Sequence, residues 1–273
     1  MNSEIDLLLL GCGSMGAALA VGYQARNPAA RVVAVAPSTA RAKALIGETT
    51  SIEVIESLQS YPDATPSVLI VALKPQAIPM ALPPLASHAG TGGLVISVAA
   101  GITTHELQSM LPRARIIRAM PNTPALISKG VTGLFASARI TGADRALCEA
   151  IFGSVGATYW VDREDLLNAV TAVSGSGPAY VFAVAEAFVK AAVAVGLSHD
   201  LALSLTTETI RGAAEMIATS KAPLSELKQA VRSPQGTTDA ALRVLEKDEA
   251  LNALFLAAID AATRRSQELA GAP

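Results

Sequence analysis

Charge is scarce in this chain: Asp, Glu, Lys and Arg make up 16% of its 273 residues, and 21 basic against 23 acidic side chains leave a formal net charge of −2. So even a balance gives no electrostatic footprint for nucleic acid or for an acidic membrane surface, and Arg264 and Arg265 form only a short basic pair. Two cysteines, Cys12 and Cys148, are too few for a disulfide framework and suit a reducing compartment. Cys12 reads as a small turn residue rather than as an activated thiol. Histidine is limited to His88, His105 and His199, which stand apart from every glycine- or proline-bearing motif and read as surface residues. The N-terminus carries Glu4 and Asp6, lacks a basic leader, and has an apolar run too short for a secretory signal, so a cytoplasmic location is expected. No motif reads as a metal site.

What the chain has in abundance is apolar surface, 51% of its residues. At this length one or two domains are expected. Either most of that surface is buried within one chain or some faces are covered by another subunit, and the second reading is favoured.

The chain is organised around Ile5 to Gly16, IDLLLLGCGSMG. A short apolar run stops on Gly11, Gly13 and Gly16, and a helical pattern follows, which predicts a buried strand, a tight turn and a helix start. Gly11 permits the turn, Gly13 leaves no Cβ between the backbone and a pyrophosphate, and Gly16 allows the helix to pack closely on the strand. The free N–H groups of the helix start, Ser14 and Met15 among them, then offer partial positive charge to an anion. An ordinary strand, turn and helix would also use glycines, but the position directly after the first strand favours a dinucleotide.

Arg31 to Ala36 (RVVAVA) reads as the second strand of a βαβ unit. Its end carries no carboxylate to bind a ribose 2′-hydroxyl, while Ser38, Thr39 and Arg41 are at hand, which favours a 2′-phosphate and hence NADPH. Arg41 and Lys43 would equally serve as the solvated face of the next helix. Further strands are read at Ser67 to Leu73, Leu94 to Val98 and Ile116 to Ile117, spaced by helical stretches. This predicts a mainly parallel sheet whose ligands lie beyond the strand carboxyl ends, with Lys74, Ser97 and Asn122 on one rim.

Near Trp160 to Asp165 the composition changes to long Ala-rich helical segments. The expected division is a dinucleotide-binding domain over 1–162 and an all-helical domain over 163–273. Ser174 to Pro178 reads as a flexible turn with Pro178 at the first helical position. The helix from Ala179 to Leu197 is apolar almost all round, broken by Glu186 and Lys190, and stops at Gly196. That charged pair argues against a membrane span, and so small a domain does not surround such a helix alone, so a helical dimerisation core is predicted. Ser198 caps the next helix. The polar loop Arg232 to Asp239, RSPQGTTD, leads into an apolar-periodic helix. It reads as a carboxylate site or as a plain turn with Thr237 or Thr238 as N-cap.

Taken together, GCGSMG, ALKPQ, SVAAGI, RAMPNTP, AVSGSGPAYVF and SPQGTT, in this order from Leu7 to about Leu269, resemble the Δ1-pyrroline-5-carboxylate reductases. The resemblance implies an N-terminal Rossmann-type doubly wound α/β sheet followed by an all-α dimerisation domain, with homodimers often assembled into decamers. It also implies hydride delivery from NADPH (or NADH) to a cyclic imino acid, giving L-proline. Position by position it implies that Gly11, Ser14 and Met15 form the pyrophosphate turn and that Lys74, Pro75, Ala99 and Ala100 line the dinucleotide. It places Asn122 near nicotinamide and substrate, gives Ser233, Gly236 and Thr237 the substrate carboxylate, and assigns the Thr238 hydroxyl to the ring nitrogen. Gln235 stands where the family commonly has glycine, and Asn168 where it commonly has aspartate. The rival β-hydroxyacid dehydrogenases need a Lys-x-x-Asn pair on the first long helix of the second domain, and here Lys190 is followed by Ala191, Ala192 and Val193.

Overall fold

The computed structural model describes residues 5–48, 50–61, 64–89 and 92–271. Glu4 and the outermost ends of both expected domains lie outside them. Eight strands form one sheet: β1 (Leu7–Leu10), β2 (Val32–Val35), β3 (Glu53–Ile55), β4 (Val68–Val71), β5 (Leu94–Ser97), β6 (Arg115–Met120), β7 (Gly130–Ala136) and β8 (Gly156–Trp160). The helices are α1 (Ser14–Arg26), α2 (Thr39–Ile46), α3 (Ile78–Ala81), α4 (Thr104–Met110), α5 (Gly142–Gly153), α6 (Leu166–Val170), α7 (Gly177–Ala194), α8 (His199–Thr219), α9 (Leu224–Ala230), α10 (Thr237–Leu245) and α11 (Ala250–Leu269).

The sheet order is 3-2-1-4-5-6-7-8, with β1 to β6 parallel and β7 antiparallel to β6. The first six strands thus run in the doubly wound order, whose reversal point lies between β1 and β4. Because side chains alternate across a strand, Leu7, Leu9, Val32, Ala34, Val68 and Ile70 pack on one face with Leu19 of α1 and Phe152 of α5. Leu8, Leu10, Val33, Val35, Leu69 and Val71 pack on the other with Ile78 of α3 and Leu107 of α4. All four β1 leucines are buried. Each such side chain contributes roughly 1.5–3 kcal/mol by leaving water, which is why a continuous apolar run, rather than an alternating one, marks this strand.

The strands expected from sequence are present, and three more complete the sheet. β3 is a three-residue edge strand. β7 carries Gly130 and Gly133 inside it, and Val170 of α6 packs so closely over Gly133 that a Cβ there would lie 2.6 Å from it. Glycine weakens a strand signal in the sequence, yet here it is what lets a helix approach. The connection from β6 to β7 reverses direction through Ser128, in the left-handed region at φ 57°.

By contacts the chain divides into one unit of Met1–Ser176 with Ala262–Pro273 and another of Gly177–Ala261. α6 falls in the first. Thr171–Gly175 is a single π-helical turn, closed by the Ser176 N–H donating to the Thr171 carbonyl at 2.8 Å. This corrects the reading of Ser174 to Pro178 as a flexible turn: the wider i to i−5 pairing absorbs the residues before Pro178, and α7 opens at Gly177, one residue ahead of it. α7 ends as expected, with Gly196 at φ 105° and the Leu197 N–H returning to the Ala192 carbonyl. Ser198 accepts the Leu201 N–H and caps α8.

Along α7 only Val189 is buried, while Phe182, at 68% exposure, and Val181, Val184, Phe188 and Val193 are open. The stretch Leu166–Ala194 is long and apolar enough to cross a membrane, though Glu186 and Lys190 pair at 2.7 Å within it. His88 corrects the expectation of three surface histidines. It is buried, with Nε2 at 3.0 Å from the Tyr61 carbonyl, whereas His105 and His199 are exposed.

One ion pair ties the segment after β8 to β6. Glu164 accepts the Thr104 N–H and hydroxyl, both at 2.6 Å, and pairs with Arg118 of β6 at 2.8 Å. Burial alone would raise its carboxyl, but Thr104 and Arg118 more than reverse that and hold it below the ordinary glutamate range. A depressed carboxyl contributes stability that is complete above about pH 5 and is lost as the pH falls through its folded value. Glu164→Ala is expected to cost about 1–3 kcal/mol in urea unfolding at pH 7, less than a fully buried pair because Glu164 is partly solvated, and less at pH 3 than at pH 7. An equal loss at both pH values would show that the charge is not what matters.

Candidate active site

Parallel register sets the carboxyl ends of the strands side by side: Leu10 opposite Val35 and Val71, and Val71 opposite Ser97, which is opposite Arg118. The segments following these ends carry Gly11 to Gly16, Ser38 and Arg41, Lys74 and Pro75, Ala99 and Ala100, and Asn122. All of these belong to the first unit and follow strand ends on one rim of its sheet, the rim on which the sequence places Lys74, Ser97 and Asn122.

At the head of the rim the Gly11 N–H donates to the Val35 carbonyl at 2.9 Å, and its φ is +92°. A Cβ at Gly11 would lie 2.6 Å from the Ala72 carbonyl oxygen, and one at Gly16 would lie 2.5 Å from the Gly11 oxygen. Both positions therefore exclude any side chain. Around Gly13 there is no heavy atom within 4 Å of a Cβ position, so its surroundings are open. Gly13 is the N-cap of α1, no side chain caps the helix, and its first turn holds no acidic residue. Ser14 is exposed and Met15 packs against the core. An uncapped helix start over bare backbone is a cradle for a diphosphate, so the residues fit a dinucleotide. Cys12 is buried, and burial pushes its thiol up, away from a reactive thiolate.

Ser38 caps α2 by accepting the Arg41 N–H at 3.4 Å, and Arg41 is exposed with no ion-pair partner among the described residues. Lys74 is exposed at the start of a tight turn that begins with Pro75. The Ala99 N–H donates to the buried Ser97 hydroxyl at 3.3 Å, and Ala100 is exposed. Asn122 is buried and already occupied: its Oδ1 accepts the Val131 N–H at 2.8 Å and its Nδ2 donates to the Ser174 carbonyl at 2.9 Å. The side chain thus pins the π-turn to the sheet, a positioning task that the sequence pattern does not reveal. Asn168 accepts the Ser266 hydroxyl at 2.8 Å, a bond an amide oxygen makes as well as a carboxylate would.

The second unit holds the polar loop. The Gly236 N–H donates to the Ser233 carbonyl at 3.0 Å, closing a turn over Pro234 and Gln235. A Cβ on Gly236 would run into the Ser233 hydroxyl. Gly236, not Thr237 or Thr238, is the N-cap of α10, and no side chain caps that helix. This corrects the plain-turn reading, because the glycine's tight approach to Ser233 brings the helix start forward by one residue. Ser233 and Thr237 are exposed and Thr238 is half-buried, and none of the three hydroxyls has a hydrogen-bond partner among the described residues. The structure brings Ser233, Gly236, Thr237 and Thr238 together as hydroxyls and backbone N–H groups around one helix start, an arrangement suited to a small carboxylate. Among the described residues no three His, Cys, Asp or Glu side chains are grouped to hold a metal.

Two family models match the chain. Pyrroline-5-carboxylate reductase dimerisation covers residues 164–269 and NADP oxidoreductase coenzyme F420-dependent covers residues 6–101. The pyrroline-5-carboxylate reductase of Pseudomonas aeruginosa is 38% identical over 97% of this chain and 96% of its own. A solved pyrroline-5-carboxylate reductase from Coxiella burnetii superposes with a TM-score of 0.90 at 34% identity, over 98% of this chain and 99% of that one. A Plasmodium falciparum pyrroline carboxylate reductase solved with NADP bound gives a TM-score of 0.82 at 28% identity, over 97% and 98%.

Gln235 sits at φ 60°, where a side chain strains the backbone. Gln235→Gly is expected to raise unfolding stability by about 1 kcal/mol, read as a higher midpoint in urea. A lower midpoint would mean that the glutamine side chain holds the loop in some other way.

Proposed function

The chain belongs to the pyrroline-5-carboxylate reductase family, and from that premise we propose that it reduces Δ1-pyrroline-5-carboxylate to L-proline with NADPH, the last step of proline synthesis. The observation that carries this reading is the pair of uncapped helix starts, one after β1 on the sheet rim and one at α10. Each presents backbone N–H groups with no acidic or hydroxyl side chain capping them, and each matches an anion: a diphosphate at the first, an amino-acid carboxylate at the second.

The residues of the sheet rim would hold a reduced nicotinamide, whose chemistry there would be hydride donation to the imine carbon. The chain's own task is orientation. Gly11, Gly13 and Gly16 let the backbone of Ser14 and Met15 meet the pyrophosphate, while Lys74, Pro75, Ala99 and Ala100 line the dinucleotide. Ser38 and Arg41, with no carboxylate beside them, accept the 2′-phosphate. Asn122 fixes the backbone beside the nicotinamide through the bonds it makes to Val131 and Ser174. Ser233, Gly236 and Thr237 hold the substrate carboxylate, and the Thr238 hydroxyl hydrogen-bonds the ring nitrogen. A protonated imine is already electrophilic, so no strong base is needed, and the ring of His88 is occupied by the Tyr61 carbonyl.

The open apolar residues of α7 support a homodimer in which a second chain covers them, with decamers as a further level of assembly, and a cytoplasmic location agrees with free, unpaired cysteines. The Glu186–Lys190 pair inside the apolar stretch supports a protein partner over a lipid one.

The direct test is to follow reduced-nicotinamide absorbance with protein, NADPH and pyrroline-5-carboxylate. Steady decay is expected. Silence with this substrate, together with NADP⁺ reduction by a hydroxy acid, would transfer the chain to dehydrogenase chemistry. Thr238→Ala is expected to lower kcat/KM by roughly 10-fold to 10³-fold, the scale of one well-placed hydrogen bond, and an unchanged rate would remove Thr238 from the mechanism. NADPH should bind more tightly than NADH, and Arg41→Ala should narrow that ratio by about 10-fold in a binding titration. A ratio indifferent to the substitution would reject Arg41 as the phosphate contact.

A further inference from the structure

Asp239 occupies the third position of α10, where an acidic residue ordinarily turns back to cap the helix start and takes up its free N–H groups. It does not do so here. Its carboxylate is 5% exposed and each oxygen is forked by an arginine: Oδ1 by Nε and Nη2 of Arg232 at 2.7 Å, Oδ2 by Nε and Nη2 of Arg243 at 3.0 Å. Arg232 precedes the Ser233–Thr238 loop and Arg243 lies one helical turn beyond Asp239, so the carboxylate is held away from the helix start from both sides. Arg232 also lies 3.8 Å from Glu246, which pairs with Lys228. The hydrogen bond from Arg232 keeps the Asp239 carboxyl well below the usual range, so it stays ionised throughout the working pH range. The N-cap N–H goes to the Ser233 carbonyl, so the donors open at this helix start are the N–H groups of Thr237 and Thr238.

We propose that Arg232 and Arg243 are positioning residues that divert the Asp239 carboxylate from the start of α10, leaving the Thr237 and Thr238 N–H groups and the loop hydroxyls to the substrate's carboxylate. The inference rests on the reading of the Ser233–Thr238 loop as the carboxylate site. Without the arginines, Asp239 becomes an intramolecular competitor for the same donors. With them, the local charge around the loop is positive by one unit, which favours an anionic substrate.

The test compares wild type, R232M/R243M and R232M/R243M/D239N, each measured for KM toward pyrroline-5-carboxylate, KM toward NADPH, kcat, thermal midpoint, and calorimetric binding of L-proline without nucleotide. Wild-type turnover comes first, and its failure would count against the loop assignment itself rather than against the diversion. The double variant is expected to raise the imino-acid KM and weaken proline binding by about 10-fold while KM for NADPH is unchanged. Adding D239N is expected to recover most of that loss. If the arginines merely brace the loop, the triple variant stays as poor as the double one or worse, and the proposal is overturned. Should the double variant fail to fold, R243M alone removes an exposed partner, and an approximately threefold rise in imino-acid KM that D239N reverses is the corresponding result. A rise that D239N leaves in place overturns the proposal in that background too.

Discussion

The fold depends on one close approach. Gly16 at the start of α1 sits so near the Gly11 carbonyl that a single methyl group would push the helix off the strand, and Gly11 itself is pressed against Ala72 at the end of β4. Because β1 is an interior strand at the reversal point of the sheet, paired with β2 on one side and β4 on the other, this contact fixes where α1 starts relative to its parallel neighbours. The same packing that leaves no room for side chains leaves the helix start bare. Stability and anion binding thus come from one arrangement, since the unsatisfied N–H groups are affordable only where solvent or a ligand reaches them.

The second unit repeats the device by a different route. There a glycine again approaches a neighbour too closely for a Cβ, Gly236 against Ser233, and again the helix that follows has no side-chain cap. The sheet rim relies on parallel register to hold its donors in place, while the loop relies on a short turn and on the charged residues that bound it. Arg232 and Asp239 close the six residues between them with an ion pair that is mostly shielded from water, so the loop has fixed ends even though its hydroxyls face outward. Screening by solvent is weaker for such a pair than for exposed ones such as Arg163–Asp165.

Much of the sheet was legible because its central strands are buried on both faces and read as unbroken apolar runs. β3 and β7 were not, since a three-residue edge strand has no periodicity to detect and β7 carries glycines that serve helix packing rather than strand formation. Asn122 was found by its place after β6, but its task was invisible: the amide is consumed by Val131 and Ser174, residues distant in sequence. The burial of His88 is hidden for a related reason, as nothing local shows that its ring meets the Tyr61 carbonyl.

The sequence by itself determined the order of strand, glycine turn and helix, the missing carboxylate after β2, the polar loop before α10 and the apolar length of α7, because each of these is a local property of spacing and residue type. Tertiary structure decided which strands are neighbours, which glycines are compelled by contact, that Gly236 rather than a threonine is the N-cap of α10, and where the Asp239 carboxylate turns. The strand order and the Gly11–Ala72 contact are settled by groups far apart in the chain, and the Gly236 and Asp239 geometries by which of several nearby partners the folded backbone brings to van der Waals and hydrogen-bonding distance. No run of residues encodes such a meeting until the backbone has closed around it.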